Sequence, residues 1–205
     1  MEKLAREKEV VGIYISGHPL DDFKFEMKYF CNVNLEQLKD LTPLIGRNLS
    51  FGGMISNVQF RTSAKGKDWA MFNVEGYDES MEFRVFNEDF LKFRHFLLNN
   101  TFVYFKVMAK EGWVKKDTNE RSEPRLQFME MKLLNEVIPT YAKKLIINID
   151  VNELKANQIE KIRMILDEHQ GSKPVTFEIY ELEKIQKRIE TEIVNNMLSE
   201  VDIDN

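Results

Sequence analysis

The sequence predicts a mixed α and β protein made of a helical connector, a five-stranded β-barrel and a small α/β domain. The connector covers residues 1–45, where apolar residues recur at helical spacing. Over residues 46–134 the apolar residues instead alternate with polar ones, which is typical of half-buried strands. From residue 143 to 205 a continuous apolar strand, an amphipathic helix, another strand and a further helical stretch follow in turn. These changes of period define the three predicted parts.

The connector is predicted to contain a charged helical stretch over 2–9, a turn and then two further helices. Gly17 and Pro19 indicate the turn, because glycine accepts unusual φ angles and proline moves His18 out of the helical region. Residues 22–30 and 35–41 each place apolar side chains three or four positions apart. The two stripes consist of Phe23, Met27, Phe30, Leu35, Leu38 and Leu41.

The barrel is predicted from the order of its elements. Three meandering strands, a helix and two further strands are the order of the five-stranded oligonucleotide-binding (OB) barrel. Gly52-Gly53 indicates a bend or bulge in the long first strand, and Asn87 is the predicted N-cap of the helix. The predicted elements are strands 49–62, 69–75 and 81–86, the helix 88–98, and strands 101–110 and 125–134.

The α/β domain is predicted as a β-α-β unit that follows a linker at 135–142. Residues 144–150 contain a near-continuous apolar run from Leu145 to Ile149, as in a strand that a sheet buries on both faces. The crossover is too long for a hairpin, so the two strands are predicted to be parallel. Gly171 is the predicted left-handed residue after the helix. The remaining elements are a helix over 153–168 with Leu154, Ile159, Ile162 and Leu166 aligned, a strand over 173–180 and a helix over 183–197.

Charge separates the predicted parts. The whole chain has a net charge of −5, yet residues 46–134 carry 14 Lys and Arg against 12 Asp and Glu. Residues 135–205 carry 9 against 14. A polyanion is therefore expected to bind the barrel, whereas the acidic C-terminal part is better suited to a protein partner.

Composition favours a cytoplasmic protein without a membrane span. No apolar run approaches the ~20 residues that a transmembrane helix requires, and the charged N-terminus lacks the apolar core of a signal peptide. The single cysteine, Cys31, cannot form an internal disulfide and is expected to be a buried small side chain rather than a reactive thiol.

The sequence predicts no catalytic residues, metal or cofactor. Its three histidines lie in three different segments, and no spacing matches a zinc site. The acidic pairs Asp21-Asp22 and Glu88-Asp89 precede predicted helices, where carboxylates offset the helix dipole. A binding role is therefore expected.

Basic and aromatic residues predict a nucleic-acid contact on the barrel. Arg61, Lys65 and Lys67 surround the first turn beside Trp69, and strand alternation turns Arg84 outward. OB barrels bind single strands across the second and third strands and in the adjoining loops, where phosphate neutralisation and base stacking combine. Trp69 could equally be part of the core, and the lysines could be solvated loop charges. A second group before the last strand consists of Trp113, Lys115, Lys116, Arg121 and Arg125.

Two stretches resemble the alpha subunit of bacterial DNA polymerase III. Residues 7–21, with the phrase Ser-Gly-His-Pro-Leu, are similar to the segment before that family's OB domain, and residues 53–69 with 83–90 are similar to the OB domain itself. The resemblance implies a C-terminal fragment of a replicative DNA polymerase, a nucleotidyltransferase whose catalytic aspartates lie upstream of this chain. It also implies an OB domain near the single-stranded template.

The same resemblance implies protein partners. The domain that matches residues 145–180 contacts the tau subunit of the clamp loader in that family, and other holoenzyme subunits bind through parent domains outside this chain. After Tyr180 the sequence departs from the family pattern, which leaves the tau contact open. Two alternatives also stay open: an RNA-binding OB module of the tRNA-synthetase type, and a protein-interaction scaffold that binds no nucleic acid.

Overall fold

The computed structural model describes residues 17–114 and 120–181. The chain divides between Tyr141 and Ala142 into two compact units, here called the first and second units. In the described ranges no helix combines the length and the apolarity that crossing a lipid bilayer demands. The predicted helical stretches over 2–9 and 183–197 lie outside the described residues.

The first unit contains a five-stranded antiparallel sheet. Its hydrogen-bonded order is β3-β2-β1-β4-β5, so each of the five predicted barrel strands is present. This order ends at β3 and β5, and the pairing of the described residues does not establish the predicted closure into a barrel. The strands are β1 (Asn48–Thr62), β2 (Asp68–Glu75), β3 (Ser80–Phe86), β4 (Phe102–Lys110) and β5 (Arg125–Leu133).

The first predicted helical stripe of the connector packs against the sheet. A 3-10 turn over Pro19–Phe23 leads into α1 (Lys24–Phe30). Apolar side chains of these two elements surround Tyr104 of β4 and the buried Leu20. Gly17 has a φ of 140°, and His18 is extended, as expected for a residue before proline.

The prediction of a second connector helix over 35–41 is wrong. Residues 35–41 contain only a 3-10 turn over Gln37–Lys39, with another over Thr42–Leu44. The Asn34 and Gln37 side chains each accept a hydrogen bond of 2.9 Å from the other's backbone N–H, and this local pairing competes with helical bonding. The leucine spacing nevertheless serves the core, where Leu35 and Leu38 are buried.

Aromatic rings fill the interior of the first unit. As predicted, Ala70, Phe72 and Val74 of β2 are fully buried. Phe83 of β3 meets Phe128 of β5 edge-on with ring centroids 6.1 Å apart, so the two end strands pack across one core although they are not hydrogen-bonded neighbours. The parallel-stacked rings, with interplanar angles of 11–24°, belong to Phe51, Phe72, Phe83 and Phe105.

The helix after β3 is shorter than predicted. α2 (Asn87–Phe93) continues as a 3-10 turn over Arg94–Phe96, rather than running to Leu98. Asn87 has a φ of 50° and is already the first helical residue, and no side-chain hydrogen bond caps this end, so the predicted N-cap is wrong. The predicted apolar stripe is confirmed, since its members Phe90, Phe93 and Leu97 are all buried.

The predicted bulge lies elsewhere in β1. Pairing with β4 continues without interruption through Gly52 and Gly53, whereas the register with β2 shifts between Ser56 and Gln59, where Asn57 has a φ of 53°. The glycines serve close packing instead. A Cβ on Gly52 would lie 2.5 Å from the Met27 sulfur.

The prediction of a linker at 135–142 is also wrong over most of that range. Residues Leu134–Glu136 form a 3-10 turn and Val137–Tyr141 form α3. Leu134 and Val137 are fully buried beside Tyr104, and Lys106 lies 3.7 Å from the centroid of the Tyr141 ring. Burial of these apolar side chains holds the segment on the first unit.

The second unit is a parallel β-α-β unit, as predicted. β6 (Leu145–Asp150) pairs in parallel with β7 (Val175–Tyr180), and α4 (Ala156–Glu168) connects them. The expectation that β6 is buried on both faces is wrong, because Leu145 and Ile146 remain 39% and 38% exposed. A single crossover helix cannot cover both faces of a two-stranded sheet.

The end of α4 also differs from the prediction. Gly171 does not have the expected left-handed φ, and the helix ends at Glu168 with His169 as its C-cap. Of the four aligned residues, Leu154, Ile162 and Leu166 are half-buried, whereas Ile159 is exposed.

We expect Gly53→Ala to destabilise the first unit by about 1–3 kcal/mol, the usual range for overpacking. The new Cβ would approach the Glu75 carbonyl oxygen to 2.8 Å and press on Val74, and neither backbone nor a buried valine can yield cheaply. Thermal unfolding followed by circular dichroism measures the change. Gly171→Ala is the control, because its Cβ would meet open space, and equal stability of both variants would contradict the packing role.

Candidate nucleic-acid interface

The turn between β1 and β2 holds its lysines on a braced backbone. Ser63 N–H donates to the Lys67 carbonyl at 2.9 Å, Gly66 N–H donates to the Ser63 carbonyl at 2.9 Å, and Lys67 N–H donates to Ser63 Oγ at 3.1 Å. Lys65 and Lys67 are exposed, and among the described residues neither has a carboxylate partner. The turn therefore presents two ammonium groups that an anion can approach.

Arg61, Trp69 and Phe86 form a row across β1, β2 and β3, here called the stacking row. The sheet register pairs Trp69 with Arg61 on one side and with Phe86 on the other. The Arg61 guanidinium carbon lies 5.7 Å from the Trp69 ring centroid, and the Trp69 and Phe86 centroids are 5.3 Å apart at an interplanar angle of 21°. The row thus combines two aromatic surfaces with a cation.

Trp69 lies outside the core, which answers the question that the sequence left open. Its strand neighbour Ala70 is fully buried, so alternation directs Trp69 to the opposite face. Its ring is half-buried by its neighbours in the stacking row, and Phe86 remains 49% exposed. Sequence reasoning missed Phe86, although the alternation that turns Glu82 and Arg84 outward also applies to the residue two positions later.

Arg84 is less available than the sequence suggested. It lies on the outer face opposite Met71, but its guanidinium donates two hydrogen bonds, of 2.9 and 2.7 Å, to the same Glu82 carboxylate oxygen. An incoming phosphate would have to compete with this exposed ion pair, which contributes little by itself.

The second predicted group is built around Trp113. This ring is 68% exposed, and the Arg125 guanidinium carbon lies 4.1 Å from its centroid. Ser122 closes the turn, since its Oγ accepts a 2.9 Å hydrogen bond from Trp113 N–H. Arg121 forms an ion pair with Glu111. Lys115 and Lys116 lie outside the described residues.

The sheet register does not bring the two basic groups together. The β1–β2 turn follows Thr62 at one end of β1, whereas Asn48 at the other end pairs with Met108, near the β4–β5 turn. Arg125 does lie near α2, because its charge lowers the pKa of Asp89; burial has the larger effect and raises that pKa. The second group is thereby linked to the helix that follows β3.

In the described part of the Ser-Gly-His-Pro-Leu phrase, His18 caps the start of the 3-10 turn. Leu20 N–H donates to His18 Nδ1 at 3.1 Å, and His18 N–H donates to Asp21 Oδ2 at 2.9 Å. The second hydrogen bond is the main reason that the pKa of Asp21 lies below its usual value. The Tyr77 hydroxyl donates to the Leu20 carbonyl at 2.9 Å, so the cap is tied to the β2–β3 turn.

The described residues contain no group of three or more His, Cys, Asp or Glu side chains that could hold a metal ion. Cys31 lies against the second apolar cluster, and burial raises the pKa of its thiol to about 12. The thiol is therefore protonated at neutral pH and is a poor nucleophile there.

Comparison with known proteins identifies one kind of relative. No family model matches the chain. It is 24% identical over 177 residues to the DNA polymerase III subunit alpha of Pseudomonas aeruginosa, covering 86% of this chain and 14% of that protein. The corresponding subunit of Bacillus subtilis is 27% identical over 186 residues, covering 90% and 15%. That of Borreliella burgdorferi is 31% identical over 103 residues, covering 50% and 9%.

The chain therefore spans about one seventh of the length of the first of these relatives. The similarity covers most of the chain, and it extends well beyond the short motifs that first suggested it. The resemblance to the DNA polymerase III alpha subunit that those motifs predicted is confirmed.

Proposed function

We propose that the first unit is an OB barrel that binds single-stranded DNA as part of a replicative DNA polymerase alpha subunit. The stacking row beside Lys65 and Lys67 is the observation that carries this proposal. A single strand needs flat surfaces for its bases and cations for its phosphates, and this face of the sheet supplies both within three adjacent strands.

The architecture supports an OB barrel. The strand order, the helix after β3 and the position of the basic turn between β1 and β2 are those of this fold. The contact between Phe83 and Phe128 supports closure, because it draws the two end strands toward a common core. In OB barrels the second and third strands bind the nucleic acid, and Trp69 and Phe86 lie on those strands here.

The binding mode follows from the charges. Arg61, Lys65 and Lys67 neutralise phosphates, while Phe86 and Trp69 stack with bases at about 1–3 kcal/mol per base. Contact with about three phosphates gives a slope of roughly −2 in log affinity against log salt, using ~0.7 per phosphate for single strands. Affinity is therefore modest and sensitive to salt. Stacking accepts any base, so little sequence preference is expected.

The relatives favour DNA over RNA as the ligand. Each carries the name of a DNA polymerase subunit, so a DNA strand is the simpler proposal than the RNA of a tRNA synthetase. The role in DNA replication and the link to nucleotidyl transfer rest on these relatives. The proposed division into a connector (1–45), an OB domain (46–134) and a tail domain (143–205) extends the same resemblance.

Charge reversal at Lys65 and Lys67 tests the proposed surface. We expect Lys65→Glu with Lys67→Glu to weaken binding to oligothymidylate at least tenfold and to make the salt slope shallower by about 1–1.4, because roughly two phosphate contacts are lost. Fluorescence anisotropy at several salt concentrations measures both quantities. Lys143→Glu with Lys144→Glu is the matched control, since it makes the same charge change in the second unit. Equal weakening by both pairs would show only a general charge effect.

We propose further that this chain alone is not catalytic and that the polymerase chemistry belongs to other parts of the parent subunit. Metal-dependent nucleotidyl transfer needs carboxylates that converge on the metal. We expect no primer extension by the purified chain with Mg²⁺ or Mn²⁺. Nucleotide incorporation that disappears on mutation of one of its own acidic residues would contradict this proposal.

The second unit is proposed to bind a protein, and the clamp-loader tau subunit is the partner that the resemblance implies. Exposed apolar residues on its strands and helix support a protein contact: Ile159, Met164, Ile165, Phe177 and Ile179. A soluble surface rarely leaves so many large apolar side chains on so small a unit. Other holoenzyme subunits are expected to bind the parent protein elsewhere.

A single exposed position tests this contact. Ile179 is 68% exposed, so Ile179→Glu is expected to preserve the fold, checked by circular dichroism. The same change should lower affinity for tau at least tenfold, because it places a charge in an apolar interface. Isothermal titration of the full chain with tau measures the loss, with Glu178→Gln as the control on the same strand. Unchanged tau affinity in Ile179→Glu would remove this face from the proposal.

A further inference from the structure

A cleft of about 630 Å³ opens at the end of β1. Its volume falls within the roughly 300–1,000 Å³ of small-ligand sites. Phe60 pairs with the fully buried Ala70, so Phe60 lies on the inner side of β1, opposite to the stacking row. The lining residues are Phe60, Arg61, Thr62, Asp68, Phe90, Arg94 and His95.

Two elements create the cleft. One wall is the end of β1, which the register shift between Ser56 and Gln59 separates from the regular pairing upstream. The other wall is Phe90 of α2 with the 3-10 turn that contains Arg94 and His95. The Asn99 side chain accepts a 3.1 Å hydrogen bond from Val58 N–H, which ties β1 to the segment after that turn.

The cleft offers an aromatic surface that the core does not use. The Phe60 ring contacts Phe90 only edge-on, with centroids 6.0 Å apart, and remains 55% exposed. An exposed phenylalanine at the mouth of a cleft can stack with a planar ligand. Nothing in the packing of the barrel interior accounts for its exposure.

The charged groups around this ring suit an anionic ligand with hydrogen-bonding edges. The residues that line the cleft include Arg61 and Arg94 with one carboxylate, that of Asp68, which already accepts a 2.7 Å hydrogen bond from Thr62 Oγ1. Guanidinium groups bind phosphate with a matching geometry. The imidazole of His95 adds a further hydrogen-bonding group.

We propose that this cleft binds one nucleotide of the same single strand that crosses the stacking row, with the base on Phe60 and the phosphate at Arg94. The inference rests on the proposed function. Arg61 connects the two surfaces, because its guanidinium lies over Trp69 and the residue also lines the cleft. A strand therefore passes over the end of β1 and contacts both faces of the sheet at this point.

Oligonucleotide length separates the two surfaces. One OB fold binds strands of about 4 to 16 nucleotides, so oligothymidylates of about these two lengths are titrated against the full chain. We expect Phe60→Leu and Arg94→Gln each to weaken binding of the longer strand about five- to tenfold, the lower part of the range for one lost stacking partner. The shorter strand should be unaffected. Trp69→Leu should weaken both, and Arg163→Gln, an equal loss of charge in the second unit, should weaken neither.

Each outcome decides between the proposals. If Trp69→Leu weakens binding but Phe60→Leu and Arg94→Gln leave the longer strand unchanged, the cleft inference fails and the proposed function stands. Absence of binding to both lengths by the unaltered chain overturns both. A third outcome is that Phe60→Leu weakens binding of thymidine monophosphate while the variants leave the affinity for the longer strand unchanged. The cleft is then a free-nucleotide site, and the proposed strand path is wrong. Arg94 is exposed, so Arg94→Gln tests the cleft even if Phe60→Leu unfolds.

Discussion

The stacked phenylalanine core is the interaction on which the first unit depends. Phe51, Phe72, Phe83 and Phe105 come from four different strands, and their near-parallel rings fix the inner face of each strand at the same time. Once these rings face inward, strand alternation places Trp69, Arg84 and Phe86 outside. The same constraint that buries the core therefore assembles the candidate interface. The interface can therefore be lost while the core stays intact, whereas loss of the core also removes the interface.

Two glycines of β1 make room for larger side chains that pack around this core. Gly52 and Gly53 leave room for Met27 on one side and Val74 on the other, so α1 and β2 approach β1 closely. Tyr104, the neighbour of Phe105, faces the opposite side of β4 and anchors a second apolar cluster, with Leu20, Leu134 and Val137. The described part of the connector and the segment before the second unit thus belong to one packed body with the sheet. This arrangement explains why the cap at His18 and the turn at Tyr77 are joined.

Local sequence patterns predicted the elements but not the packing of their edges. Alternation identified all five strands and the inner faces of β2 and β3, since Phe72 and Phe83 lie where period two requires. It could not identify the helix at Val137–Tyr141, because that helix depends on contacts with Tyr104 and Lys106 that are distant in sequence. The apolar run of β6 led to the prediction that this strand is buried on both faces. Such a run indicates hydrophobicity but not whether enough neighbouring structure exists to cover it. Arg61 and Trp69 were found from composition, whereas Phe86 was missed although the predicted strand over 81–86 contains it, because the outward face was followed only to Glu82 and Arg84.

The bulge at Asn57 inverts the alternation of β1. Leu49, Phe51 and Ile55 are the odd-numbered upstream positions that belong to the main core, yet beyond the bulge Phe60 faces inward and Arg61 faces outward. The inserted residue therefore decides the parity of the whole end of the strand. A strand of the same sequence that paired without the bulge would keep its upstream core but would turn Arg61 toward Phe90 and Phe60 toward Trp69. The bulge therefore decides which side chains the end of β1 displays on each face, and the left-handed conformation that asparagine tolerates makes it possible.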